Sequence, residues 1–395
     1  MRTVPVVTAL LLACATPPAA AQQADPSLSF PRQPVGWSFT PRLATGAAWD
    51  DNVLIAGGSD ALAADLNTAV EPGASLDFIG KRSSFSASYR GSAQMYRDFN
   101  ALNNYAQRLN VSARRRLSAK TILFGQQSYS AMPTTELPAF VGIPFRRIGA
   151  RIADFRGGVE SMPTKRVSFS LSYNFQWIDF NKDPVLGVAL LGGHANGGTA
   201  GLRYHVTAHT SLTTDYNVQR ASIVTGGRFT LQTGWAGLEH QFSETARAYG
   251  SLGVARVDAV DAGSSKTAPA WRAGFSQRIE SAVLDIIYGR SFVPSYGGGG
   301  TLSNQELTGH LRIPIARRAY TEGVVSWRSN QPLAAAFQSL TSVWVGATVG
   351  YVLQPWARVE AFYGSTHQSI DRPGGQLDRH RVGIQVITAK PMRIR

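Results

Sequence analysis

The chain has 395 residues, 44% of them apolar, 16% charged and 10% aromatic, with a formal net charge of +14. One Cys excludes a disulfide framework, plentiful aromatics along the whole length exclude disorder, and after residue 21 no apolar run nears the roughly 18 residues of a membrane helix. The positive charges are dispersed singly, with Arg114-Arg115-Arg116 the one triple, which argues against nucleic acid as a partner.

Residues 1–21 read as an export signal of the general secretory route. Arg2 is a minimal positive region, Val4 to Ala13 a short apolar run, and Ala19-Ala20-Ala21 a small-residue cleavage site. Leu11-Leu12-Ala13-Cys14 offers a rival reading as a lipoprotein box, behind an apolar run that is short for one. Residues 22–36, with three prolines and no periodicity, are expected to be a periplasmic lead-in.

From Trp37 onward one pattern repeats, apolar and polar residues alternating over ten to fifteen positions between turn residues. Val167, Phe169, Leu171, Tyr173, Phe175 and Trp177 alternate with Ser168, Ser170, Ser172, Asn174 and Gln176, so a strand here has one apolar and one polar face. Segments of this kind are predicted near 37–49, 67–79, 83–97, 104–117, 120–130, 150–161, 165–180, 197–207, 210–222, 228–241, 246–258, 267–279, 282–294, 301–315, 318–328, 339–353, 356–369 and 378–388. The connections alternate short and long. Short ones include 80–82, 118–119 and 163–164; long ones include 50–66, 131–149, 181–196 and 295–300.

Strands longer than nine residues, with short turns at one end and long loops at the other, predict an all-β, transmembrane, antiparallel up-and-down barrel of about 18 strands, with 16 to 18 admissible. A soluble sandwich would need a second apolar face, and the polar face reads as nearly free of large apolar residues. Trp37, Trp49, Tyr105, Tyr129, Trp177 and Trp356 sit towards strand ends, as interface girdles do. The barrel is expected over 37–388 in the bacterial outer membrane, surrounded by outer-membrane lipid, with 389–395 a tail.

By parity the inward face carries Arg90, Arg108, Arg114, Arg116, Arg156, Arg203, Arg272, Arg278, Arg312, Arg328, Arg358 and Arg381, with acids such as Glu71, Asp154, Glu160, Asp215, Glu306 and Glu360. Two readings stay open: a wall whose field favours anionic solutes, or Arg–acid ladders that stiffen and hydrate the interior without selectivity. Inward Tyr96, Trp344 and Phe362 are candidates for stacking on sugar rings or for plain wall filling. Loop 131–149 combines three prolines with apolar Leu137, Phe140 and Phe145 and the pair Arg146-Arg147, which suits a constriction folded into the lumen or a lid over neighbouring loops.

No enzymatic site stands out. The His residues show no ligand spacing for a metal, there is no nucleophile elbow, and Gly297–Gly300 lacks the strand-then-helix context of a phosphate cradle. His209 with Ser211, or Ser365 with His367, is the nearest approach to a hydrolase set. No cofactor is expected.

Leu43 to Val53 (LATGAAWDDNV) resembles the opening of a β-barrel porin family whose members accompany exopolysaccharide export genes, and the strand–turn rhythm is similar to about Ile387. The resemblance implies an outer-membrane barrel that passes a secreted polysaccharide in company with a periplasmic polysaccharide-export protein. As an outer-membrane barrel it also implies handling by the barrel-assembly machinery. The alternative is a general or anion-preferring diffusion porin for small solutes, ahead of a plugged structural barrel or a lipid hydrolase. One departure is that Ala389–Arg395 replaces the terminal aromatic usual in such barrels, which leaves an internal assembly signal around Val382–Val386 as an option.

Overall fold

The computed structural model describes residues 35–55, 62–134, 147–181, 190–261, 263–280, 282–333, 339–370 and 375–394. Export signal, lead-in to residue 34 and loop residues Leu137, Phe140, Phe145 and Arg146 lie outside them.

All eighteen expected segments are strands. In order they are β1 (Gly36–Asp50), β2 (Asp65–Ile79), β3 (Ser83–Tyr96), β4 (Asn104–Arg116), β5 (Thr121–Pro133), β6 (Gly149–Ser161), β7 (Val167–Phe180), β8 (Gly193–His205) and β9 (Thr210–Ile223), then β10 (Gly227–Ser243), β11 (Ala246–Ala259), β12 (Ser264–Ile279), β13 (Ala282–Pro294), β14 (Thr301–Pro314), β15 (Ala319–Pro332), β16 (Leu340–Gln354), β17 (Ala357–Ile370) and β18 (Gln376–Ala389). Each pairs antiparallel with its sequence neighbours, and β1 pairs with β2 on one edge and β18 on the other, so the sheet closes. Closure satisfies every edge hydrogen bond, as a strand structure in hydrocarbon must.

Period-2 alternation decides which face meets lipid. Leu171, Leu212, Leu252 and Val345 point outward and stay exposed, Leu252 at 74%. Outward Trp37, Phe78 and Phe85 cluster near the short-turn end, with centroids 4.8 Å and 6.0 Å from Trp37. An apolar outer band with aromatics at its margin is what a bilayer core and interface select.

Two boundaries differ from expectation in an informative way. Residues 389–395, expected as a tail, contribute a nineteenth short strand, β19 (Met392–Ile394), which pairs with Trp37–Phe39 of β1. It continues the line of β18 after an interruption at Pro391, whose missing N–H cannot join a ladder. β15 runs to Pro332, four residues past the expected end, because its loop end keeps pairing with β14 up to Leu302.

The closing seam is fastened at the loop rim by the residues that carry the family resemblance. Asp50 and Arg379 are both buried, and Arg379 Nε donates to both carboxylate oxygens of Asp50 at 3.0 Å. The His380 amide donates to Asp51 Oδ1 at 2.6 Å, and Asn52 Nδ2 donates to the Asp378 carbonyl at 2.9 Å. Trp49 points outward beside them, opposite Val382.

Candidate functional site

Side chains from strands that are not neighbours converge only on the concave face of a barrel. Arg114 of β4 reaches Glu160 of β6 at 3.1 Å, and Arg203 of β8 reaches Glu239 of β10 at 3.0 Å. Arg272 of β12 bonds Asp215 of β9 and lies over the Trp235 ring at 4.9 Å. The polar parity is therefore the lumen.

The other predicted arginines occupy the same face in varied company. Arg328 pairs with Glu306 at 2.7 Å and Arg358 with Glu360 at 2.7 Å. Arg381 Nη2 donates to Asn67 Oδ1 at 3.5 Å. Arg90 stands opposite Arg108 in the β3–β4 ladder, and Arg108 Nη2 contacts the Met132 sulfur at 3.7 Å. Arg156 lies over Phe124 and Arg312 over Tyr320, with centroid distances of 5.6 Å and 4.6 Å. Arg116 and Arg278 stand at the short-turn ends of β4 and β12. Among the described residues Arg108, Arg156 and Arg312 have no salt bridge.

Three further arginines are not among those that parity picked out: Arg42, 3.5 Å from Glu71; Arg379 in the seam; and Arg147, whose position in the lumen depends on a loop. Arg147 Nη1 donates to Tyr96 Oη at 2.8 Å and its guanidinium covers the Tyr96 ring at 4.6 Å. Elsewhere in the 131–149 loop the described residues are 131–134, 148 and 149, with the Ile148 amide donating to Thr134 Oγ1 at 3.2 Å.

Among the described residues, the lumen is also narrowed by a second segment. Past Arg290, β13 stops pairing with β12 but stays paired with β14 as far as Pro294–Thr301. The end of this hairpin leaves the wall and crosses the interior. Phe292 packs with Leu231, Ala255 and Val257, and Tyr296, 3% exposed, packs with Met132, Ile152, Ile178 and Ile223. Gly297 exchanges backbone hydrogen bonds with Leu191 at 2.8 Å and 3.2 Å. The tip turns through Gly297, Gly299 and Gly300 at φ +90°, +84° and +76°, a region that disfavours side chains. The glycine run serves this turn.

The polar face is thus not free of large apolar residues, contrary to expectation. Met132, Ile152, Ile178, Ile223, Leu231 and Val257 are inward near the loop rim and form the seat of the hairpin. On the opposite side a cavity of about 480 Å³ remains, lined from β1–β3, β15–β18 and Thr134 at the start of the 131–149 loop. Small residues such as Ala44, Gly46, Ala69, Gly346 and Gly364 leave the room, and Arg328, Arg381, Glu71, Trp344 and Phe362 give its chemistry.

An apolar exterior around a closed, polar-lined interior has one suitable solvent. The chain is a membrane-spanning β-barrel. No protein-family model matches the chain, and no curated protein matches it. Several solved barrels are similar in architecture. OccAB3 of Acinetobacter baumannii has a TM-score of 0.47 at 9% identity, covering 90% of this chain and 99% of that one. OpdK of Pseudomonas aeruginosa, solved with vanillate, has 0.46 at 12% identity over 90% and 99%. OccK2 of Pseudomonas aeruginosa, solved with glucuronate, has 0.46 at 11% identity over 91% and 98%. At such scores the likeness carries no argument about solute, and the architecture stands on this chain's own strand pairing.

The hydrolase reading gains nothing from the geometry. Ser211 Oγ lies 2.9 Å from His205 Nδ1 rather than on His209, and no carboxylate bonds that imidazole among the described residues. His367 bonds Asp378 at 2.6 Å on the outer face, while Ser365 stands opposite His380 in the ladder.

Proposed function

We propose that the chain is a diffusion pore for small polar solutes with a preference for anions, whose path runs through the side channel between β15–β18 and β1–β3. The observation that carries this reading is the docked β13–β14 hairpin, which fills the opposite half and leaves a cavity of about 480 Å³. That volume lies within the range of small-molecule sites and suits a monosaccharide or a small aromatic acid. Arg114, Arg203, Arg272, Arg328 and Arg358 are each paired with a carboxylate, so the anion bias comes from lumen arginines without a salt bridge among the described residues, such as Arg108, Arg156 and Arg312.

Polysaccharide export, with its periplasmic partner, is what the family resemblance implies. The narrowed lumen gives it no support, because a hydrated polymer needs a wider continuous path. Export by an N-terminal signal cleaved after Ala21 accords with the barrel's location and remains part of this proposal. The test is permeation into proteoliposomes by solutes of graded size, with glucuronate as the first anionic probe. The proposal expects monosaccharide-sized solutes to enter, anions faster than neutral sugars, and oligosaccharides to be refused. Free passage of long glycans would overturn it in favour of export.

A further inference from the structure

The two kinds of positive charge in this chain live in different surroundings. Inside the lumen, Arg114, Arg203, Arg272, Arg328 and Arg358 are held by carboxylates. At the short-turn rim, which faces the periplasm in barrels of this design, the positive charges are not. Lys81 and Arg82 form the β2–β3 turn, Lys120 ends the β4–β5 turn, and Lys165 and Arg166 end the β6–β7 turn. All five are exposed, and none has a salt bridge among the described residues. Arg317 and Arg318 in the β14–β15 turn, also exposed, continue the series.

The distribution is lopsided. Cationic residues recur in the β14–β15, β2–β3, β4–β5 and β6–β7 turns and at the seam end with Lys390 and Arg393, the β16–β17 turn Pro355-Trp356 being uncharged, whereas the turns joining β10 to β11 and β12 to β13 carry Glu244 and Glu280. The cationic arc includes turns of the strands that line the open channel, β15–β18 and β1–β3, and reaches on to the β6–β7 turn below the hairpin's seat, while the acidic turns lie farther round beneath that same filled half. A belt meant for lipid headgroups would ring the whole barrel, since lipid surrounds a barrel on all sides. An arc that spans the channel side and is replaced by acids at β10–β13 instead concentrates field where a solute enters.

We propose that this arc is a capture site for multivalent anions, collecting them from the periplasmic side and delivering them to the open channel. The inference rests on the pore reading above and deepens it. Passive flow has no preferred direction at equilibrium, but the rate of entry from the cationic side is raised. Because the charges are exposed, the effect is screened once the Debye length falls from about 14 Å to a few ångströms.

The experiment uses single barrels in a planar bilayer, with tripolyphosphate added to one compartment at a time. Orientation is read from streptavidin capture at a biotinylated Ser118→Cys in the β4–β5 turn. The expected result is a blocking on-rate about tenfold higher from the short-turn side at low salt, vanishing at high salt. In the variant K81Q/R82Q/K165Q/R166Q the two sides become equal while open-channel conductance is unchanged. The smaller variant K165Q/R166Q shows a partial loss and guards against an assembly defect. Equal on-rates in the unaltered barrel, or an asymmetry untouched by the substitutions, overturns the proposal. So does a variant that loses retention on phosphatidylglycerol vesicles but blocks normally, which would assign the arc to lipid headgroups. If no barrel conducts, the pore reading fails, and calorimetric binding of tripolyphosphate to the solubilised barrel decides separately. Weaker binding by the four-fold variant supports a capture site, and unchanged binding overturns it.

Discussion

Near the loop rim, the inward positions of β5 to β11 include Met132, Ile152, Ile178, Ile223, Leu231 and Val257, and a hairpin lies on them with Phe292 and Tyr296. The inward positions of β15–β18 and β1–β3 carry Ala44, Gly46, Ala69, Gly346, Gly364, Ser342 and Gln385, and these line the cavity of about 480 Å³. The same alternation builds both halves, yet one is a packed core and the other an aqueous wall. The difference lies in side-chain size and polarity at inward positions. Burial of apolar area holds the hairpin down, and small polar residues opposite give it no competing seat.

Substitutions in the two halves should therefore act on different observables. The largest effect on stability is expected from Asp50→Asn at the seam, which leaves Arg379 buried without its counter-charge and costs about 3 to 5 kcal/mol. A drop in the denaturant midpoint of the folded barrel checks it, and a midpoint within error of the unaltered chain would remove the seam clasp from the account. Tyr296→Ala comes next. Loss of a buried aromatic costs about 3 to 5 kcal/mol where it is fully packed, here drawn from hairpin docking rather than from the barrel wall. Conductance should rise with the barrel's unfolding midpoint little changed. Gly297→Ala should act in the same direction more weakly, because a side chain in the left-handed region costs about 1 to 2 kcal/mol.

In the open half, Arg328→Gln leaves Glu306 without its salt bridge and should shift ion selectivity towards cations, read as a change in reversal potential under a salt gradient. The smallest effect is expected outside the lumen. Arg151 and Asp179 pair across β6 and β7 on the outer face, both exposed. Arg151→Gln should change stability by less than about 1 kcal/mol, with conductance unaltered.

The strands were legible because period-2 alternation is a local property, and segments such as 167–177 display it without help from the rest of the chain. The hairpin was not legible. Ile152, Ile178 and Ile223 break the alternation, and read one strand at a time they look like noise; their meaning appears when Tyr296 arrives from more than 70 residues away. The glycine run at 297–300 is a visible cue for an unusual turn, while the prolines and apolar residues that mark loop 131–149 lie for the most part outside the described residues. The inward parity of the arginines could be read, but not their neutralisation, since the pairs Arg114–Glu160 and Arg272–Asp215 skip one or two intervening strands. The seam motif Trp49–Val53 was noticed as a resemblance, and its physical role needed the last strand beside the first.

The most direct test of the two-halves account is cysteine accessibility inside the conducting barrel, made clean because Cys14 is the one native cysteine and lies in the predicted export signal. Ser342→Cys on the open wall and Ala221→Cys under the hairpin are each exposed to a charged methanethiosulfonate reagent while current is recorded. The account predicts that Ser342→Cys reacts and lowers the current whereas Ala221→Cys stays inert. Rapid reaction at Ala221→Cys, or silence at Ser342→Cys, would contradict it.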